Sequence, residues 1–167
     1  MLSRTMFLAA GIVSILTATR AMADPSCADP TGDWHNQLGS TLTVSKVDKT
    51  TGQITGSYIS PSGTQGDSRP LVGWLQNTQG DPSKKHQVGA VSFAVHWGPY
   101  GSITSWTGKC ETLNGTPTIF TLWHLVRTSS DFAWDHLLAG SDTFTPGAPV
   151  KPAVQSKPGA SKLKEQK

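Results

Sequence analysis

T-G-D-W-H-N-Q-L-G-S, residues Thr31 to Ser40, is a short run held between Gly32 and Gly39. Read as a strand, it sends Trp34, Asn36 and Leu38 to one side, because successive side chains alternate across a pleated backbone. Ser40 lies just beyond, on the same side. A large aromatic and a carboxamide then share the interior face. An unpaired buried amide costs ~1–3 kcal/mol, so Asn36 needs a buried network or a ligand. The rest of the chain reads as the wall around this strand.

That wall is built from further alternating runs. Thr41 to Val47 sets Leu42 and Val44 against Thr and Ser. Gln53 to Ile59 places Ile54, Gly56 and Tyr58 together. Leu71 to Asn77 follows a polar loop, Ser60 to Arg69. Ala90 to Trp97 alternates Val91, Phe93, Val95 and Trp97 against Ser92, Ala94 and His96. After the turn Gly98 to Gly101, the run Ser102 to Glu111 puts Ser102, Thr104, Trp106, Gly108 and Cys110 on one side. Asn114-Gly115 is a hairpin signal. Thr118 to Arg127 groups Thr121, Trp123 and Leu125, and Leu137 to Thr145 groups Gly140, Asp142 and Phe144. No stretch after residue 23 sustains helical periodicity. The pattern predicts an all-β fold, an eight-stranded antiparallel up-and-down β-barrel. Such a barrel is just wide enough for side chains or one small ligand.

Met1 to Ala23 reads as a secretory signal peptide. Arg4 is the charged start, Met6 to Leu16 the apolar stretch, and Ala21-Met22-Ala23 the small-residue cleavage pattern. A transmembrane anchor is the alternative, but the apolar run falls short of the ~20 residues a span needs. The expectation is a protein secreted or periplasmic after cleavage near Ala23. Its barrel domain would span 24–146, and a Pro/Lys-rich disordered tail would span 147–167.

The sequence pI near 9.0 conceals a division of charge. Residues 24–146 carry seven Lys and Arg against ten Asp and Glu, whereas 147–167 carry five Lys and one Glu. The barrel therefore has no basic excess for phosphates, which argues against a nucleic-acid partner. The two cysteines, Cys27 and Cys110, lie in the exported part. An oxidising compartment predicts a disulfide between them, tying the first strand to the sixth.

The chain holds six tryptophans. Trp34, Trp97, Trp106 and Trp123 fall on predicted inward faces, which a well-filled core alone would explain. Their company argues otherwise. Asn36, Ser40, Tyr58, Ser60, Thr104 and Asp142 lie on or beside the same faces. A core filled only for stability would not gather so many hydrogen-bonding groups. An aromatic wall with a polar end describes a pocket.

These residues resemble the avidin and streptavidin family of biotin-binding proteins. The likeness runs from about Cys27 to Pro146. It is carried by T-G-D-W-H-N-Q-L-G-S, G-Q-I-T-G-S-Y-I-S, H-W-G-P-Y-G-S-I-T-S-W-T-G-K-C, T-L-W-H-L and A-G-S-D-T-F-T, in family order. The resemblance implies a non-enzymatic binder whose ligand, not cofactor, is biotin. It implies that Asn36, Ser40 and Tyr58 donate to the ureido oxygen, and that Ser60 and Asp142 accept from the two ureido N–H groups. Thr104 would meet the thioether sulfur. Trp97, Trp106 and Trp123 would line the bicycle and valeryl chain, with Leu125 near them. Ser102 and the loop at Gly63 and Thr64 would face the carboxylate. Trp134 would reach the pocket of a neighbouring subunit, so a homo-oligomer is implied.

Some positions depart from the family pattern. Asp135 follows Trp134 where the best-known relatives have lysine. Tyr100 and Pro99 replace a small polar residue and an aromatic near the carboxylate end. Ala139 and Ser141 are small where avidin carries larger apolar groups at a subunit contact. A tetramer is the favoured assembly, with a dimer beside it.

Two other readings compete. A lipocalin-like carrier would share G-D-W, the barrel and the disulfide, but no helix pattern follows the last strand and the pocket is polar for a lipid. A secreted hydrolase would need a nucleophile and base. No G-x-S-x-G or H-E-x-x-H occurs. His35, His96, His124 and His136 flank the inward sets, and Asp142 has no paired acid. No metal or membrane partner is implied.

Overall fold

The computed structural model describes residues 24–61, 66–77 and 83–147. The predicted signal peptide, Gly63, Thr64 and the tail beyond Gly147 lie outside the described residues. Eight antiparallel strands follow one another around a closed barrel. They are β1 (Gly32–Asn36), β2 (Thr41–Val47), β3 (Gln53–Ile59), β4 (Ser68–Gln76), β5 (Gly89–His96), β6 (Ser102–Leu113), β7 (Thr116–Arg127) and β8 (Leu137–Pro146). The barrel closes where β8 returns to β1, with Trp34 opposite Pro146 and Asn36 opposite Phe144. The alternation in the sequence therefore yields the expected up-and-down barrel.

Side-chain parity places the core. Leu42, Val44, Ile54, Phe93, Val95, Ile119 and Phe144 are all buried. Their neighbours along the strands are more exposed, as a period of two requires, except Thr118, which is buried beside Ile119. Trp34 is completely buried, and its indole N–H donates to the Pro30 carbonyl at 2.9 Å. It fills the core and does not line the cavity.

The β6–β7 hairpin turns at Asn114 and Gly115, with φ of 49° and 83°. Two consecutive positive φ values are what a tight two-residue hairpin demands, and Asn-Gly tolerates them at little steric cost.

Several boundaries differ from the sequence reading: β4 begins at Ser68, inside the predicted loop Ser60 to Arg69, and β6 and β7 each run two residues further toward their shared turn. β1 ends at Asn36, so Leu38 and Ser40 are not on its inward face. The chain turns there instead: Gly39 N–H donates to the Asn36 carbonyl at 3.1 Å, and Gly39 takes φ of 81°. The disulfide joins Cys27 to Cys110 as expected, with Cα atoms 5.4 Å apart. Cys27 precedes β1, however, so the bridge ties the leading segment, not the first strand, to β6. Pro30 has no N–H to give a ladder, which keeps that segment out of the sheet.

In an up-and-down barrel, alternate connections share one end. The β1–β2, β3–β4, β5–β6 and β7–β8 connections thus crowd the same rim. The disulfide and the β6–β7 turn lie toward the other.

Candidate functional site

At that crowded rim a cavity of about 500 Å³ enters the barrel. This is within the range that encloses a small organic ligand. Of the residues named from the sequence, Asn36, Ser40, Tyr58, Ser60, Trp97, Ser102, Thr104, Trp106, Trp123, Leu125 and Asp142 line it. Trp134 does not. It sits in a short 3₁₀ turn, Ala133–Asp135, 78% exposed and stacked on Phe132 at 4.7 Å between ring centroids.

The deep end is polar and fixed. Asn36 Oδ1 accepts from two backbone N–H groups, Ser40 at 2.8 Å and Leu38 at 3.0 Å. That pair of donors fixes which way the amide points, since its oxygen must face them. The amide nitrogen is left toward Tyr58 Oη, 3.4 Å away. The turn that removes Leu38 and Ser40 from β1 is thus what orients Asn36.

Asp142 lies within reach of the same amide. Its Oδ2 accepts from Trp106 Nε1 at 2.8 Å and its Oδ1 from Gln37 Nε2 at 3.1 Å. Gln37 is itself clamped to β8, donating to the Ser141 carbonyl at 3.1 Å and accepting from Thr143 N–H at 2.9 Å. Burial pushes the Asp142 carboxyl above its usual value, while hydrogen bonds from Trp106, Gln37 and Asn36 oppose the shift. Burial likewise raises the Tyr58 hydroxyl, reinforced by the negative charge of Asp142 and opposed by a Ser40 hydrogen bond. Tyr58 therefore keeps its proton and remains a donor. Among the described residues no three His, Cys, Asp or Glu groups come together as a metal site.

Aromatic rings form the wall. Tyr58 stacks on Trp106 at 4.9 Å and meets Trp97 edge-on at 5.8 Å. Trp97 Nε1 donates to Thr104 Oγ1 at 2.8 Å, which uses a lone pair and leaves the threonine proton for another acceptor. Trp123 crosses the strand pair at Gly140, its register partner. A Cβ at Gly140 would come within 2.4 Å of Trp123 Cζ2, so the indole lies where only glycine leaves space.

The cavity lining also includes Arg127, Ser129 and Leu138, which the sequence reading did not place there, together with Leu38 and Tyr100, which it set on the inward face and near the carboxylate end. Parity along β7 from Trp123 and Leu125 points to Arg127. Tyr100 is anchored by its hydroxyl, which donates to Asp67 Oδ2 at 3.1 Å, with Arg69 5.4 Å from its ring. Gln37 was out of reach, because a strand through Leu38 would have turned it outward.

The family model for avidins matches residues 24–147. The chain is 32% identical to avidin of Gallus gallus over 119 residues, covering 69% of this chain and 76% of that protein. It is 34% identical to afifavidin of Afifella pfennigii over 119 residues, covering 67% of this chain and 65% of the relative. The crystal structure of core-bradavidin superposes with a TM-score of 0.55 at 35% identity, covering 69% of this chain and 97% of that one. Barrel topology and sequence agree, and the chain belongs to the avidin family.

Proposed function

We propose that this protein binds biotin in the barrel cavity, with the ureido ring at the deep end and the tail toward the rim. Avidins are non-catalytic biotin binders that typically form oligomers. The observation that carries the reading is the fixed polarity of the deep end. The Asn36 amide nitrogen and the Tyr58 hydroxyl present donors, while Asp142 presents a carboxylate beside them. A urea offers one oxygen that takes several donors and two N–H groups that need acceptors. Ser40 would add a donor and Ser60 an acceptor. Charge on Asp142 makes the stronger N–H bond and polarises the urea in the same sense as the donors on its oxygen.

Thr104 would offer its proton to the thioether, and Trp97, Trp106, Trp123 and Leu125 would cover the apolar bicycle and chain. Side chains already locked in place reduce the ordering cost of binding. Calorimetric titration with biotin, with competition on biotin-agarose, tests the reading. Saturable heat and competition are expected. No heat and no competition would end it, and recovery of a chemically altered biotin would favour a hydrolase.

Export is part of the proposal. The Cys27–Cys110 bridge suits an oxidising compartment. Sequestration of the vitamin would follow, and undiminished growth of a biotin auxotroph beside the purified protein would count against it. We take the assembly to be a homotetramer, with a dimer as the alternative, in which Trp134 covers a neighbour's pocket.

A further inference from the structure

The expected partners of the biotin carboxylate are Ser102 and two loop residues. The structure puts a cation at that end. Alternate residues of β7 share a side, so Thr121, Trp123, Leu125 and Arg127 run in line from the deep end to the rim. Thr121 pairs with Asp142 and Arg127 pairs with Ser102. Among the described residues, Arg127 is the one Lys or Arg in the cavity lining.

Its guanidinium is held in place. Nε donates to the Asp135 carbonyl at 2.7 Å and Nη2 pairs with the Asp135 carboxylate. Nη1 makes no hydrogen bond to any described residue. The Arg127 side chain keeps 33% of its surface exposed, so it is open to solvent at the cavity mouth. One edge of a planar fork is thus occupied, and the rest can meet a second carboxylate.

We propose that Arg127 binds the carboxylate at the end of the ligand tail, and that Asp135 competes for the same guanidinium. The pair then sets the preference between the free acid and its neutral amides. The cavity carries an acceptor charge at Asp142 and a cation at the rim. That order matches a ligand with N–H donors at its head and an anion at its tail. The inference rests on the biotin reading. Partial exposure screens the contact, so the effect is moderate, on the order of tenfold in affinity.

A purely structural role must be separated from this one. The Arg127 guanidinium also fastens the β7–β8 connection through Asp135, beside backbone hydrogen bonds to His136 that a side-chain substitution keeps. Loss of a fastening would weaken every ligand alike. Affinities for biotin and for biotin amide should therefore be measured at neutral pH on wild type, Arg127→Gln, Arg127→Lys and Asp135→Asn. Arg127→Gln should lower the acid-to-amide affinity ratio on the order of tenfold, and Arg127→Lys should restore part of it. Asp135→Asn, which removes the competing charge from Nη2 and keeps the backbone carbonyl on Nε, should raise the ratio. If wild type binds neither ligand, the biotin reading fails and this proposal with it. If wild type binds both and the ratio is unchanged in Arg127→Gln, this proposal alone is overturned. Should Arg127→Gln not fold, a ratio that does not rise in Asp135→Asn overturns it equally.

Discussion

Trp106 donates its indole N–H to Asp142 Oδ2 at 2.8 Å, joining the aromatic wall of the cavity to its one buried carboxylate. Asp142 thereby keeps a fixed direction before any ligand arrives. With Gln37 on the other oxygen, the carboxylate is held by two elements and needs no reorganisation to accept a ureido N–H.

Asp142→Ala removes that acceptor and leaves Trp106 and Gln37 donors without their partner. The expected loss of biotin affinity is ~2–5 kcal/mol, about 30- to 5,000-fold. Calorimetry or competition with a labelled biotin measures it. Wild-type affinity in Asp142→Ala would remove the residue from the site.

The same carboxyl sets a pH dependence. Burial holds Asp142 above its usual 3.8 in the unliganded protein. A ureido N–H favours the charged form, so ligand binding lowers that pKa. Affinity should therefore be full at neutral pH and fall as pH drops through the raised value, above 3.8. Biotin amide is the ligand to use, because its tail does not titrate. Trp106→Phe removes a hydrogen bond that stabilises the charge, so the midpoint should move to higher pH. A flat profile in wild type would contradict the assignment. In the unliganded protein the sign is opposite for stability. The Asp142 contribution is fully favourable below 3.8 and is lost as pH rises through the raised value.

How much of this could be read from the sequence depended on whether a residue sat within a regular strand. Val91, Phe93 and Val95, or Thr104 and Trp106, follow a period of two, and the barrel places them where parity requires. The turn after Asn36 broke the rule. Gly39 signalled it, but T-G-D-W-H-N-Q-L-G-S alternates well enough to pass for one strand. Gln37 reaches Asp142 only because the chain turns there, a long-range contact that no local pattern carries. Arg127 extends the inward series of β7 by one more step, and its pairing with Asp135 depends on how the Thr128 to Asp135 connection folds back.

The disulfide should matter for stability more than for binding. Cys27 and Cys110 are 83 residues apart, and closing a loop of that length is worth ~4.5 kcal/mol in the chain-entropy model. Neither cysteine lines the ligand cavity. Cys27→Ser with Cys110→Ser should lower Tm by several degrees or more while leaving the biotin affinity within a few-fold of wild type. Intact-mass analysis of native protein alkylated without reductant should find no labelled thiol. Two labelled thiols, or a collapse of affinity without loss of fold, would reverse this expectation.

Trp134 and Phe132 stack on each other outside the barrel, 78% and 54% exposed. Ile103, Val126 and Leu137 add an apolar row, since they are register partners across β6, β7 and β8 and all three are exposed. A monomer would show this surface to water, whereas an oligomer would bury it. Ala139 and Ser141 sit beside it on β8 and offer little apolar area, so a contact there would be weaker than one built on large side chains. Two copies related by a twofold axis could exchange indoles, each Trp134 covering the other's cavity mouth. Trp134→Ala leaves Asn36, Tyr58 and Asp142 untouched. The expected consequence is faster biotin release with little change in association, because a cover is lost and not the ureido contacts. Light scattering with and without biotin gives the assembly, and release of labelled biotin from Trp134→Ala gives the rate. A monomer in both conditions, or unchanged release from the variant, would show that each cavity is complete within one chain.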